Sequence, residues 1–398
     1  MPPKPPDRDE QPNLFARAPL PVAELDDRGR LACLRLIRSE NVGPVTFREL
    51  INHFGGAQEA LDALPELSRR AGRGRPLALC PAGVAELELA AAAKVGAYPV
   101  FTIEPGYPPA LAAVDTPPPL LYVKGDTVHL ARPMVAIVGS RQSSAAGIKL
   151  TGMFASALGE AGFTIASGLA RGIDGAAHEA ALRSGTVAVL AGGIEIVYPP
   201  EHAGLYARIA EQGCLITEMP PGFTPRGKDF PRRNRIISGI SLGVVIVEAA
   251  ARSGTLVTAR YAGEQGREVF AVPGHPLDPR AEGTNKLIKD GAMLVTSPDD
   301  VIEALGPITG RQPVRVARPA MEEQPLGDIA TRTAPPQFAA QSDLGLVLEA
   351  LGPHPIDVDA LVRATRLSIR SVQIALMELD LGGRIERHGA QLVSLRIS

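Results

Sequence analysis

Val135-Ala-Ile-Val138 runs directly into Gly139-Ser-Arg-Gln-Ser-Ser-Ala-Ala-Gly147, and the reading of this junction decides the fold. Four apolar residues without alternation mean a strand buried on both faces. The small-residue turn that follows is the kind that opens a helix at such a strand's carboxyl end. The pattern recurs along the chain. Phe163-Thr-Ile-Ala166 leads into Ser167-Gly-Leu-Ala-Arg-Gly-Ile-Asp-Gly175, and Val244-Val-Ile-Val247 leads through Glu248 into Ser253-Gly-Thr-Leu-Val-Thr258. Thr186-Val-Ala-Val-Leu190, Leu215-Ile-Thr217 and Val269-Phe-Ala-Val272 are further short apolar runs between helical segments. The expected architecture over residues 98–306 is therefore α/β, a Rossmann-like parallel sheet core with helices on both faces.

Working outward, residues 28–97 read as helical. Leu31, Leu34 and Ile37, then Phe47, Leu50, Ile51 and Phe54, recur at spacings of three and four. Asn41-Val-Gly-Pro44 lies between the first two helices. Asn and Gly tolerate left-handed backbone, and Pro suits the first turn of the next helix. This is a helix-hairpin-helix-like turn whose amides could meet a phosphate, although a plain tight hairpin is favoured. Residues 1–27 are Pro-rich and polar and read as a disordered leader. Residues 307–341 lack periodicity and read as a linker. Pattern returns over 342–398, with helices expected at Asp343–Leu351, Val358–Thr365 and Ser368–Leu379. The hairpin Arg384–Arg387 and Gln391–Leu395 follows, which gives a winged-helix outline.

Composition narrows the function classes. The 398 residues carry 41 Lys+Arg against 43 Asp+Glu, a net charge of −2, so attraction to nucleic acid must come from local clustering. Three scattered cysteines (Cys33, Cys80, Cys214) match neither a disulfide framework nor a zinc spacing. No run approaches membrane-spanning length, and the N-terminus has no apolar core of a signal peptide. A cytoplasmic protein without metal, cofactor or membrane span is expected.

The local clustering sits in Arg226-Gly-Lys-Asp-Phe-Pro-Arg-Arg-Asn-Arg235, which holds five cations, one aromatic and one acid in ten residues. Placed on a loop at the carboxyl edge of the sheet, with Arg141 and Arg171 from two neighbouring turns, it forms an anion-binding shelf. Free amides at the helix starts add to it. Cations combined with a ring suit a single-stranded nucleic acid. Read singly, the Gly-rich turns serve close packing, Asp174 reads as an N-cap with His178 as its partner one turn on, and Glu248 reads as a base or an arginine's partner. No P-loop, no Gly-x-Gly-x-x-Gly and no defensible nucleophile–base pair is present, so no catalytic residue is assigned.

Gly139-Ser-Arg141, Ser167-Gly-Leu-Ala-Arg-Gly-Ile-Asp174, Phe230-Pro-Arg-Arg-Asn-Arg-Ile-Ile237, Glu248-Ala-Ala-Ala-Arg-Ser-Gly-Thr255 and Gly283-Thr-Asn285 stand in an order that resembles the DNA-processing protein A (DprA/Smf) family. Tyr107-Pro-Pro-Ala-Leu111 and Pro119-Leu-Leu-Tyr-Val-Lys-Gly125 resemble that family's lead-in. The resemblance implies an N-terminal SAM-like domain and a C-terminal winged helix. It implies a homodimeric, non-enzymatic protein of natural transformation that binds and protects incoming single-stranded DNA. Such a protein loads the recombinase RecA onto that DNA against single-strand-binding protein, which it meets indirectly through the shared strand. Carried over by motif, the DNA site takes Gly139, Ser140, Arg141, Gly168, Arg171, Gly172, Asp174, Lys228, Phe230, Arg232, Arg233, Asn234, Arg235, Ser253 and Gly254. Arg141 and Lys228 would meet phosphates, and Phe230 would support or stack a base. For the dimer contact, an apolar edge strand near Val269–Val272 or its adjoining helix is a candidate.

Two rivals are weaker. The core also resembles lysine-decarboxylase-like nucleotide phosphoribohydrolases, but Thr258 and Ala259 stand where their catalytic Glu belongs. A duplex-binding regulator would rest on the winged helix, where residues 343–398 hold seven acids against six arginines. A major-groove reader needs a net basic face.

Overall fold

The computed structural model describes residues 24–70, 77–310, 339–389 and 391–396. Residues 1–23 of the expected leader and 311–338 of the expected linker lie outside them. Nine strands form one sheet: β1 (Tyr98–Phe101), β2 (Leu120–Gly125), β3 (Met134–Val138), β4 (Thr164–Ser167), β5 (Thr186–Val189), β6 (Cys214–Thr217), β7 (Gly243–Ile246), β8 (Glu268–Ala271) and β9 (Met293–Leu294). Their spatial order is β1-β2-β6-β5-β4-β3-β7-β8-β9. The seven strands from β6 through β9 are mutually parallel, while β2 joins β6, and β1 joins β2, in antiparallel fashion.

All six runs expected as strands are strands. Three others had not been assigned. β2 is as apolar as its neighbours, but it pairs antiparallel and lacks the strand–turn–helix grammar by which the others were recognised. β9 is two exposed residues beside β8. With β9 in place, Val269–Val272 is not an edge, which corrects that candidate for a dimer contact.

Strand alternation sorts the core into two layers. Val135 and Ile137 pack with Phe154 and Leu158 of the helix Ala145–Glu160, whereas Met134, Ala136 and Val138 share a cluster with Ile236 and Ile237 of the helix Asp229–Gly239. Each fully buried aliphatic side chain contributes about 1.5–3 kcal/mol. The chain steps outward from β3 through β4 and β5 to β6, then returns to place β7 on the other side of β3. The connections leaving β3 and β7 therefore diverge. A crevice opens between them at the strands' carboxyl ends, where open α/β sheets hold ligands.

The N-terminal domain contains the helices Asp27–Arg38, Pro44–Phe54, Ala57–Arg70 and Ala82–Lys94. In its hairpin Asn41 takes the left-handed conformation (φ 60°), whereas Gly43 caps the next helix at φ −89° with Pro44 in the first turn. The domain is joined to the sheet through Glu88, which accepts from Tyr122 Oη of β2 (2.5 Å) and pairs with Arg38 (2.6 Å).

The C-terminal helices Gln341–Ala350, Val358–Thr365 and Ile369–Leu381, with strands β10 (Ile356–Asp357), β11 (Ile385–His388) and β12 (Leu392–Leu395) in the order β10-β12-β11, form a winged helix. Its third helix packs on the N-terminal domain. Asp380 accepts from Thr46 Oγ1 (2.7 Å) and from Arg387 (3.0 Å), Arg387 pairs with Glu49 (2.7 Å), and Asn41 Nδ2 donates to the Leu381 carbonyl (3.0 Å). Among the described residues no helix is long and apolar enough to cross a membrane.

Candidate nucleic-acid interface

The crevice beside β3 and β7 has a volume of about 830 Å³. Its floor and walls come from the turns expected at this edge: Ser140 and Arg141 after β3, Asp174 after β4, Ser253 and Gly254 after β7, and Phe230 with Asn234. Two elements are arranged differently from expectation. The stretch 226–235 is not a loop. Lys228 caps a helix that begins at Asp229, so the aromatic and most of the cations lie on its first turns. Asp229, itself buried, accepts from the Arg226 amide (2.8 Å) and shapes the turn instead of neutralising a neighbouring cation.

The shelf of free amides is also corrected, because side chains of the chain itself engage them. Glu248 accepts from the Ser144 amide (3.0 Å) and hydroxyl (2.5 Å), and Ser144 Oγ in turn accepts from Gly147 N, capping the helix Ala145–Glu160. The hydrogen-bonding role of Glu248 is thus that of a clasp on Ser144, with Arg280 close enough to feel its charge. Asp174 is not an N-cap, since Gly172 occupies that position. Its carboxylate reaches back to the amides of Gly168 (3.1 Å) and Ala170 (3.4 Å). Burial pushes this carboxyl above its ordinary range, against the pull of Arg233 and the two amides. His178 does not partner Asp174 either. Its Nε2 accepts from Leu169 N (3.3 Å), which leaves Nδ1–H facing Thr186 Oγ1 (2.7 Å). Full burial, with Arg233 and His202 nearby, pushes the imidazole down to about 3, so it is neutral.

Close packing explains the glycines. Gly172 has φ +74° and a side chain there would run into the Ser140 carbonyl. At Gly168 a methyl group would overlap the Arg233 guanidinium.

The expected cations divide into two sets. Arg233 is only 5% exposed and donates from Nη1 to the carbonyls of Gly168 (2.6 Å) and Val189, which ties the turn after β4 to the end of β5. Burial lowers it to about 10, with Asp174 acting in the opposite sense. Arg232 (2.9 Å) and Arg235 (2.5 Å) both pair with Glu218, on the other flank of the helix. There they line a separate cleft with Thr116 and Arg387. Arg171 pairs with Glu201. Arg141 and Lys228 are different: among the described residues neither has an ion-pair partner. The Arg141 guanidinium lies over the Phe230 ring, 5.3 Å from its centroid.

Among the lining residues that sequence reading missed, Arg252 and Tyr198 matter most for a ligand. Arg252 is exposed and without an ion-pair partner among the described residues. It lay inside a quoted motif, but only the adjacency of β3 and β7 brings it to the crevice that Arg141 also lines. Tyr198 follows β5, and its ring centroid is 5.2 Å from that of Phe230. No clustering of residue types in the sequence marks it. The arrangement offers two cations without ion-pair partners, Arg141 and Arg252, and exposed ring surface around one opening, suited to a flexible polyanion carrying flat groups. Among the described residues, no group of three His, Cys, Asp or Glu is placed to hold a metal.

Comparison with known proteins shows the family. Residues 99–306 match the family model described as DNA recombination-mediator protein A, residues 27–91 a DprA-like N-terminal HHH domain, and residues 331–391 a DprA winged helix domain. The chain is 50% identical over 202 residues to protein Smf of Escherichia coli, a match covering 50% of this chain and 54% of that one. It is 31% identical over 385 residues to protein Smf of Synechocystis, covering 87% and 94% of the two chains. The solved structure of DNA processing protein A from Streptococcus pneumoniae superposes with a TM-score of 0.56 at 34% identity, over 69% of this chain and 96% of that one.

Proposed function

The chain belongs to the DNA recombination-mediator protein A family, and on that premise we propose that its crevice grips single-stranded DNA. The observation that carries this reading is the meeting of Arg141 with Phe230 at the sheet's point of reversal. Arg252 lines the crevice, and Lys228 caps the helix that presents Phe230; neither has an ion-pair partner among the described residues. Phosphates fall to Arg141, Lys228 and Arg252, and a base to the Phe230 ring. Gly139, Gly168, Gly172, Asp174 and Arg233 hold the turns in position, while Ser140, Asn234, Ser253 and Gly254 line the floor. Binding protects the strand. Delivery of that strand to RecA in competition with single-strand-binding protein, and action as a homodimer, complete the reading that the family resemblance implies. The mode of action is binding and not bond cleavage.

The test is a titration of the purified protein with oligo-dT and with a matched duplex at several salt concentrations. Oligo-dT is expected to bind at least about tenfold tighter. Its affinity should fall with a log–log salt slope of roughly −2 to −4, for about three to five phosphates at about −0.7 each. Arg141→Ala, Lys228→Ala and Arg252→Ala should each reduce that slope without lowering the melting temperature. Phe230→Ala should cost about 1–3 kcal/mol of binding. Equal affinity for duplex, or release of free base from a nucleoside monophosphate, overturns the reading.

A further inference from the structure

We propose that Tyr198 is a second base-stacking platform, so that the crevice seats two unstacked nucleotides on two inclined rings. The inference rests on the reading of the crevice as a single-strand site and adds to it the shape of the strand that site accepts.

Tyr198 lies beyond the carboxyl end of β5, on a connection remote in sequence from both Phe230 and Arg141. It nevertheless lines the same opening. Its ring leaves 50% of the residue exposed, which is more than a ring serving only to buttress Phe230 needs. Its hydroxyl has no hydrogen-bond partner among the described residues, so no polar contact accounts for its position. An aromatic ring held half in solvent at the rim of a cationic crevice is available to a ligand with a flat face.

The angle between the rings then limits the ligand. The planes of Tyr198 and Phe230 are inclined by 55° at a centroid separation of 5.2 Å. A base lying flat on Phe230 is therefore steeply tilted to Tyr198 and cannot stack on both. Two bases can be used, one per ring, only if the strand bends between them and gives up its own base–base stacking. Unpaired pyrimidine strands do this at low cost. Duplex DNA holds successive bases nearly parallel and cannot. Selection of single strands is thereby a consequence of ring geometry in addition to charge.

The chain has six tyrosines and no tryptophan, and Tyr198 is the tyrosine among the lining residues, so intrinsic tyrosine emission reports on this ring. Oligo-dT is titrated into the wild type, Tyr198→Ala and Tyr198→Phe, with thermal melts as the control for folding. The expected results are a loss of roughly 5- to 150-fold in affinity for Tyr198→Ala with an unchanged salt slope, and affinity within about twofold of wild type for Tyr198→Phe. Quenching of tyrosine emission on binding should occur in the wild type and be largely lost in Tyr198→Phe. If wild type binds but Tyr198→Ala binds equally well, or if Tyr198→Phe retains the full quench, the platform is wrong while the crevice stands. If wild type shows no affinity for oligo-dT, the crevice itself is misread and the platform falls with it.

Discussion

At the scale of single residues, identical side chains in one short stretch have opposite fates. Arg232, Arg233 and Arg235 are indistinguishable in sequence, yet Arg233 is buried against the Gly168 and Val189 carbonyls while the other two pair with Glu218. Arg233→Ala should destabilise the protein by about 1–3 kcal/mol for each of the buried Gly168 and Val189 carbonyls it leaves without a donor. Urea denaturation measures this, and normal stability with lost DNA affinity would instead make Arg233 a ligand contact. His178 gives a pH dependence. Its imidazole is held near 3 in the folded state against about 6.5 unfolded. As pH falls below about 6.5 the unfolded chain takes up a proton that the native site refuses. Stability contributed by this residue is present above that pH and is lost toward about 3, by up to about 1.4 kcal/mol per pH unit. Asp174, whose carboxyl is raised, acts in the opposite sense, so the informative quantity is the difference in acid slope between wild type and His178→Gln. Parallel slopes would place the histidine's titration elsewhere.

At the scale of elements, the crevice is held open by a clasp between connections far apart in sequence. Glu248, just after β7, takes the amide and hydroxyl of Ser144 and so fixes the start of the helix after β3. Thr255 Oγ1 donates to the Gly139 carbonyl (3.0 Å) across the same gap. Hydrogen bonds to a charged acceptor contribute about 1.5–3 kcal/mol. Glu248→Ala is expected to lose about that much in chemical denaturation and to speed hydrogen exchange at Gly147. Unchanged exchange at Gly147 would show that Ser144 caps the helix unaided. The helix Asp229–Gly239 matters for a related reason. Phe230 sits on its first turn, and its apolar side, Ile236 and Ile237, is fully packed, so the ring is presented from a rigid element.

At the scale of the whole molecule, two folds often associated with DNA face each other. The winged helix buries Ile374 to Leu379 and Leu381 of its third helix, and its first turn carries one cation, Arg370. The N-terminal hairpin meets that helix through Asn41 and Thr46. Arg387, bridging Glu49 and Asp380, is the central ion of the contact. Arg387→Ala should cost up to about 3 kcal/mol, less to the extent that Glu49 and Asp380 keep some solvent. It should raise protease sensitivity around residues 339–396 while leaving oligo-dT affinity unchanged. Retained protection would mean that apolar packing alone holds the domains together.

Six core strands, the N-terminal helices, the winged helix and the small-residue turns at the carboxyl edge were determined by the sequence alone. Burial on two faces, helical periodicity and turn chemistry are local properties, and Val135–Val138 or Val358–Thr365 display them without reference to distant residues. Other features were decided only by the tertiary structure. Arg141, Phe230, Tyr198 and Arg252 converge because β7 returns to β3. Arg232 and Arg235 turn away because Glu218 is within reach, and Asp174 and His178 are engaged by the backbone of their own turn. Strand order, and the bonds that lock β4 to β3 and Thr255 to Gly139, are settled by contacts between segments 30 to more than 100 residues apart. Local pattern carries no record of such distances.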